Sequence, residues 1–249
     1  RILNIAVFRK ETLYQKMRAL IIYLVISAVF IGCTPILSVD ASTQSVYHFS
    51  DTDKNISLLD ISETFGTYDG SFVLYDNNLD SWKIYDLEEA TKRIPPESTY
   101  KIYDALLGLE SGIITPEHSS MTWNGDAFPF PSWEADQDLN SAMQNSVNWY
   151  FQAIDSQLGI NRVQEFLNKI EYGNQTTSSN LDLYWSDFSL KISPLEQVTL
   201  LKKFNTNEFH LNSQNVFSVK NAIKIASTPN GNFYGKTGTG RVNGQDING

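Results

Sequence analysis

The sequence predicts a mixed α/β (α+β) domain in which strands near both ends flank a helical insertion. Runs rich in β-branched and aromatic residues occur at 70–75, 81–85 and 232–239, and such runs are typical of strands. Between them, apolar residues recur at the three- and four-residue spacing of helices with one buried face. The 249 residues are 41% hydrophobic and 12% aromatic, which is enough for a packed core and excludes a disordered chain.

The first two strands form a predicted hairpin. The runs 70–75 and 81–85 flank a polar turn at 76–78, which is typical of antiparallel neighbours. Pro95 and Pro96 end the strand pattern, because proline lacks the amide hydrogen that a strand ladder needs. We therefore expect an antiparallel pair immediately before the helical part.

Four helices are predicted after the hairpin. The first covers 98–110 and is followed by Gly112, a helix stop signal. The others cover 139–158, 162–170 and 194–204, each with apolar residues along one side. The chain contains no internal repeat, so a repeat architecture is not expected.

An uncharged segment at 19–37 predicts a transmembrane helix, because its 19 residues match the roughly 20 that a bilayer core requires. Residues 1–18 carry five basic side chains and one acidic side chain, a net charge of +4. The positive-inside rule then places 1–18 in the cytoplasm and 61–249 outside, with the polar segment 38–60 as a linker.

A second interpretation of this segment starts translation at Met17 and ends a lipoprotein signal at Cys33. It also places the acidic domain outside the membrane. Because the chain begins with Arg1, we expect it to be a fragment at its front end.

Charge and composition disfavour two classes of function. The whole chain has a net charge of −9, so the part after residue 18 carries −13, and that charge repels nucleic acid. The one cysteine and three dispersed histidines predict no disulfide framework and no metal site.

Two short motifs contain candidate chemical groups. Ser98 and Lys101 form a Ser-x-x-Lys motif that puts both side chains on one helix face. A serine needs a nearby base, and a lysine can supply it when burial lowers its pKa. Lys236-Thr237-Gly238, which continues into Thr239-Gly240, offers a cation and hydroxyls for a carboxylate. A chain of this composition contains about one Ser-x-x-Lys pair by chance, so neither motif alone assigns a function.

Two further motifs lie between them in the order of the chain. Ser146-Val147-Asn148 offers a second hydroxyl, and Tyr172-Gly173-Asn174 ends a predicted helix. Alone, the first is typical of a polar helix face and the second of a glycine C-cap.

The ordered set of four motifs resembles the penicillin-interacting serine proteins, and within them the class D β-lactamases. The residues around Trp123, Trp133 and Trp185 also resemble that branch. The segments 98–103, 146–150 and 235–240 are most similar to the extracellular sensor domain of the BlaR/MecR β-lactam receptors. The resemblance covers about residues 65–249 and implies a class D β-lactamase-like, penicillin-binding transpeptidase fold: an antiparallel sheet with a helical subdomain.

The resemblance implies a role for each candidate residue. Lys101 would carry a CO₂-derived carbamate and act as the base, Ser98 would attack the β-lactam carbonyl, and Ser146 would relay a proton to the lactam nitrogen. The N–H groups of Ser98 and Thr239 would bind the developing oxyanion. The drug-binding set would also include Trp185, beside the carbamate, and the drug-carboxylate ligands Lys236, Thr237 and Thr239. No other cofactor and no metal is expected.

The resemblance further implies a receptor in a bacterial plasma membrane whose partners are β-lactam antibiotics and an upstream zinc protease domain of the same protein. A cytoplasmic repressor would be an indirect partner. The alternatives are a membrane-anchored class D β-lactamase that hydrolyses penicillins, a peptidoglycan transpeptidase, and a binding domain without chemistry.

This sequence departs from the class D pattern in two ways. Asn148 replaces the apolar residue, often valine, that the enzymes carry there, and it predicts a persistent acyl-enzyme. The family also continues beyond Gly249, so we expect that the last strand and helix are missing here.

Overall fold

The computed structural model describes residues 3–10, 55–242 and 245–249. Its main sheet has the strand order β2-β4-β3-β1-β8-β7. The strands of this sheet are β1 (Leu3–Lys10), β2 (Ile56–Leu58), β3 (Asp69–Asp76), β4 (Ser81–Tyr85), β7 (Thr239–Val242) and β8 (Gln245–Asn248). A separate two-stranded hairpin is formed by β5 (Lys224–Thr228) and β6 (Gly231–Tyr234).

The predicted first hairpin is confirmed. Strands β3 and β4 pair antiparallel, with Val73 opposite Ile84, and both side chains are fully buried. Strand β2 adds to β4 in parallel, although the sequence predicts a linker over 38–60. The Trp82 amide donates to the carbonyl of Asn55, which holds this short strand against the sheet.

Strand β1 lies in the middle of the sheet. It pairs antiparallel with β3 along its whole length and with β8 at Arg9 and Lys10. The same residues are predicted above to form a cytoplasmic tail, and a tail across a bilayer cannot pair with an outer domain. The two arrangements are therefore mutually exclusive. The predicted span 19–37 lies outside the described residues, among which no helix has the length and apolar character to cross a membrane.

The helices build most of the core. They are α1 (Ser62–Phe65), α2 (Leu87–Thr91), α3 (Lys101–Glu110), α4 (Leu139–Gln144), α5 (Asn148–Leu158), α6 (Ile160–Ile170), α7 (Pro194–Thr206) and α8 (Ser213–Ala222). Helix α3 is preceded by a 3-10 turn, Glu97–Tyr100. The predicted helix at 98–110 thus exists, but its first turn is wound more tightly.

Two sequence predictions are wrong in detail. The helix expected over 139–158 is two helices, because Ser146 between them has a left-handed backbone with φ 55 that cannot continue an α-helix. The strand expected over 232–239 is interrupted after Tyr234 and resumes at Thr239. Helix α8 was not predicted.

Candidate functional site

The serine and lysine of the first motif meet where α3 begins. Ser98 lies half-buried in the 3-10 turn, and Lys101, the first residue of α3, is only 1% exposed. The Lys101 Nζ donates a hydrogen bond to Ser98 Oγ at 2.8 Å. A general base must lie about 2.6–3.2 Å from the group that it deprotonates. An uncharged Lys101 amine at this position can therefore take the serine proton.

The surroundings of Lys101 favour the uncharged amine. Burial, followed by the ammonium group of Lys236, lowers the pKa of Lys101 to about 7, against the opposing effect of Asp104 and Glu97. A buried amine loses the hydration that stabilises its charged form. A large fraction of Lys101 is therefore free amine at neutral pH, which is the form that acts as a base or reacts with CO₂.

Asn148 holds the other side of the lysine. It is the first residue of α5, and its Oδ1 accepts a hydrogen bond from Lys101 Nζ at 2.7 Å. The aromatic rings of Phe151 and Trp185 each lie 5.7 Å from the same nitrogen. An amide oxygen is only an acceptor with partial negative charge, so this contact favours the cationic ammonium form most and an anionic carbamate least.

A second lysine joins the Ser146 motif to the Lys236 motif. Lys236 Nζ donates to Ser146 Oγ at 2.9 Å and to the carbonyl of Thr237 at 2.8 Å. Burial lowers the pKa of Lys236 to about 8. The left-handed backbone of Ser146 turns its hydroxyl out of the α4–α5 helical path. The ammonium group of Lys236 and the hydroxyl of Ser146 are thus held within hydrogen-bond distance of each other.

Glycine lets β7 pack directly on the 3-10 turn. A Cβ atom at Gly238 would lie 3.0 Å from the Pro96 carbonyl oxygen, and one at Gly240 would overlap the Glu97 side chain. Side chains alternate between the two faces of a strand. Thr239 therefore points to the face opposite Gly240, and both Thr237 and Thr239 are exposed.

The backbone of β7 leaves a donor at an open edge. Gly238 and Gly249 exchange both backbone hydrogen bonds, at 2.6 and 2.8 Å. In an antiparallel pair the next residue directs its N–H away from the partner strand. The Thr239 N–H therefore points to the outer edge of β7, the last strand of the sheet, where a substrate carbonyl can reach it.

The Tyr-Gly-Asn motif fixes the loop that carries Trp185. Gly173 has φ 50, and a Cβ there would overlap the carbonyl of Lys191, so only glycine fits. The Asn174 side chain donates to the Ser189 carbonyl at 2.6 Å and accepts from the Lys191 amide at 2.8 Å. The Trp185 carbonyl in turn accepts from the Glu97 amide at 3.1 Å, next to the nucleophile.

The structure therefore brings the predicted site residues together around Lys101 and Lys236: Ser98, Lys101, Ser146, Asn148, Trp185, Lys236, Thr237 and Thr239. Their catalytic and binding roles remain predictions, because geometry alone does not test them. In the described part of the chain, no group of histidine, cysteine and acidic side chains could hold a metal ion.

Sequence reasoning missed three residues around this site. The Gln197 amide donates to Thr99 Oγ1 at 2.7 Å and so supports the nucleophile turn from helix α7. Asp104 and Asp155 are fully buried on α3 and α5. The signal for both aspartates was available, since each is a charged residue on the apolar face of a predicted helix.

The penicillin binding protein transpeptidase domain matches residues 63–249, three quarters of the chain. The chain belongs to this family. Among solved structures, this transpeptidase-family domain superimposes on the C-terminal domain of the Bacillus licheniformis BlaR penicillin-receptor with a TM-score of 0.74. The two are 41% identical, over 78% of this chain and 85% of that one. The class D β-lactamase BAT-2 superimposes on this chain with a TM-score of 0.70, and the two are 32% identical over 76% of this chain and 86% of that one.

The curated relatives of this chain support the same family. The transpeptidase-family chain is 42% identical to the regulatory protein BlaR1 of Bacillus licheniformis over 248 residues, which is 98% of this chain and 41% of the relative. It is 34% identical to the methicillin resistance mecR1 protein of Staphylococcus aureus over 249 residues, all of this chain and 42% of the relative. The chain thus spans about two fifths of these relatives. The predicted class D-like fold and the BlaR/MecR resemblance are confirmed.

Proposed function

We propose that this chain is the drug-binding part of a membrane-bound β-lactam receptor that is acylated at Ser98 and induces β-lactam resistance. The observation that carries the proposal is the position of Lys101 Nζ, which bonds both Ser98 Oγ and Asn148 Oδ1. The first contact supports acylation of the serine. The second favours loss of the base afterwards, which makes the ester long-lived.

In the proposed reaction, Lys101 takes the proton from Ser98 as its oxygen attacks the lactam carbonyl. The N–H groups of Ser98 and Thr239 stabilise the oxyanion. Ser146, bonded to Lys236, passes a proton to the lactam nitrogen as the ring opens. Lys236, Thr237 and Thr239 bind the carboxylate of the drug, so the nucleophile and the carbonyl are held in register.

We propose further that Lys101 reacts with CO₂ to give a carbamate, which supplies an anionic base for the serine proton. The lowered pKa of Lys101 supports this, because only the uncharged amine reacts with CO₂. The neighbouring rings of Phe151 and Trp185 supply the dry surroundings that a carbamate needs. Asn148 acts against the carbamate by binding the lysine nitrogen in its amine form.

The proposed receptor lies in a bacterial plasma membrane with this domain outside. Its partners are β-lactam antibiotics and an upstream membrane zinc protease domain of the same protein, and its signal relieves a cytoplasmic repressor. Protease added to intact cells should then digest the part after residue 60. Sparing of residues 1–18 would support a cytoplasmic tail, and their digestion would support the pairing of β1 with β3 in the outer domain. Protection of the domain would refute this placement.

A second candidate function is hydrolysis by a membrane-anchored class D β-lactamase. It is favoured by the similarity to BAT-2 and to the probable β-lactamase YbxI of Bacillus subtilis, which is 35% identical over 185 residues, 74% of this chain and 69% of that protein. Asn148 opposes it, since it binds the amine form of Lys101.

Labelled penicillin and mass spectrometry separate the two functions. The receptor predicts one equivalent of label on Ser98, little product after the burst, and no label on Ser98→Ala. Ser227→Ala, a change at an exposed position of the β5–β6 hairpin, is the matched control and should be labelled normally. Label on the Ser98→Ala variant would refute the site, and sustained turnover in bicarbonate buffer would favour the enzyme.

A further inference from the structure

Glu97, the residue before the nucleophile, has a left-handed backbone with φ 50. A side chain makes this conformation unfavourable, and such strain persists only where the surrounding structure imposes it, often at functional sites. The peptide that joins Glu97 to Ser98 carries the Ser98 N–H. The backbone dihedrals of Glu97 therefore set the direction of that N–H, which is one of the two proposed oxyanion donors.

Two contacts hold Glu97 in place. Its amide donates a hydrogen bond to the Trp185 carbonyl at 3.1 Å. Its side chain lies against β7, because a Cβ atom at Gly240 would overlap the Glu97 carboxyl group. The carboxyl thus fills the place where a side chain of residue 240 would begin, and the glycine leaves room for it.

The strand that carries the second donor meets the nucleophile turn at two points. Gly238, directly before β7, approaches the Pro96 carbonyl. Gly240 approaches the Glu97 side chain. Thr239 lies between these two contacts in the chain, so together they fix the position of its N–H, the second proposed oxyanion donor.

The charge of Glu97 acts on the site in a separate way. Burial, opposed by the charge of Lys101, raises the pKa of Glu97 to about 7. Ionised Glu97 in turn raises the pKa of Lys101, because a nearby opposite charge favours the charged form. If Glu97 acted through its charge alone, its loss would increase the free amine of Lys101 and speed acylation. The sign of the effect therefore separates a role of its charge from a role of its packing.

We propose that Glu97 is a positioning residue that fixes the two oxyanion donors, the N–H groups of Ser98 and Thr239, relative to each other. Its backbone orients the first donor, and its side chain packs beside the second. Preorganised donors stabilise the charge that develops on the carbonyl oxygen without reorganisation during the reaction. The inference rests on the proposed acylation of Ser98 and extends it, because it assigns part of the acylation rate to a residue that acts through its neighbours.

Three variants of Glu97 separate packing from charge. Glu97→Ala removes the carboxyl from Gly240, whereas Glu97→Gln removes the charge and keeps the shape. Glu97→Gly also removes the side chain but relieves the left-handed strain, so it tests the role in a case where Glu97→Ala does not fold. Glu88→Ala, which removes an exposed carboxyl from α2, is the matched control. All four are tested in the full chain in detergent.

Acylation is measured at rising penicillin concentration, so that the limiting rate and the dissociation constant are obtained separately. Loss of a whole oxyanion donor costs about 100- to 1,000-fold in rate, so misplaced donors in Glu97→Ala and Glu97→Gly should lower the limiting rate about tenfold. The dissociation constant should change much less, because the donors act mainly in the transition state. Glu97→Gln should recover most of the wild-type rate, and Glu88→Ala should match the wild type.

The carbonyl stretch of the acyl-enzyme reports on the two donors directly. Penicillin with ¹³C in the lactam carbonyl gives an infrared band for the ester on Ser98, and hydrogen bonds from the donors lower its frequency. The band should move to higher frequency in Glu97→Ala and Glu97→Gly. It should stay near the wild-type position in Glu97→Gln and at that position in Glu88→Ala.

Two results would overturn the proposal. The first is an unchanged band or an unchanged limiting rate in Glu97→Ala and Glu97→Gly. The second is faster acylation in Glu97→Ala and Glu97→Gln alike, since that is the effect of charge on Lys101. Failure of the proposed function is distinct, because it would appear as wild-type protein that penicillin does not label on Ser98.

Discussion

Replacing Asn148 by valine tests why the acyl group should persist. The Asn148 Oδ1 accepts a 2.7 Å hydrogen bond from Lys101 Nζ, and a hydrogen bond to a charged group contributes about 1.5–3 kcal/mol. Since one pKa unit corresponds to about 1.4 kcal/mol, the loss lowers the pKa of Lys101 by about one to two units. The ratio of ammonium to free amine at fixed pH then falls about ten- to hundredfold, and carbamate is retained accordingly.

We therefore expect deacylation of Asn148→Val to be about ten- to hundredfold faster than in the wild type. The assay follows the acylated mass of the protein over time in bicarbonate buffer after removal of free penicillin. Asn145→Val is the control, because Asn145 is exposed and lies only three residues earlier. Equal deacylation rates in Asn148→Val and the wild type would refute the role given to this amide.

Two further predictions concern β7 and its lysine. Gly238→Ala brings a Cβ to 3.0 Å from the Pro96 carbonyl oxygen and from Thr99 Cγ2, so it should displace β7 and reduce the acylation rate about tenfold or more. Gly240→Ala meets only the flexible Glu97 side chain and should reduce the acylation rate less. A larger loss of rate in Gly240→Ala than in Gly238→Ala would contradict the packing. In CO₂-depleted buffer, the acylation rate should rise with pH as Lys101 loses its proton near pH 7 and fall as Lys236 loses its charge near pH 8. Lys236→Arg should remove the fall at alkaline pH, because arginine stays charged. A fall that persists in this variant would exclude Lys236 as its source.

The elements with strong local signals were predictable. The hairpin of β3 and β4 follows from alternating strand residues around a polar turn, and α3 follows from the spacing of its apolar residues. Three of the four motifs do come together: Lys101 bonds Ser98 at 2.8 Å and Asn148 at 2.7 Å, and Lys236 bonds Ser146 at 2.9 Å. The order of the motifs along the chain predicted this grouping because each motif lies at the end of a helix or strand, where side chains from different elements can converge.

What failed depended on backbone geometry that residue patterns do not encode. The apolar spacing continues through 139–158, yet Ser146 adopts a left-handed conformation that divides the helix. Strands β6 and β7 belong to different sheets, and the close approach of Gly238 to Pro96 just before β7 is a tertiary contact. The hydrogen bond from Lys101 to Asn148 likewise joins residues 47 positions apart, and no local pattern connects them.

The left-handed backbone of Ser146 has a consequence for heat tolerance. A residue with a side chain loses roughly 1–2 kcal/mol in this conformation, and glycine does not. Ser146→Gly should therefore raise the melting temperature of the domain while it removes the hydroxyl that Lys236 bonds. Selection for thermal stability alone would favour that exchange, and the resulting protein would have a higher melting temperature but a lower acylation rate.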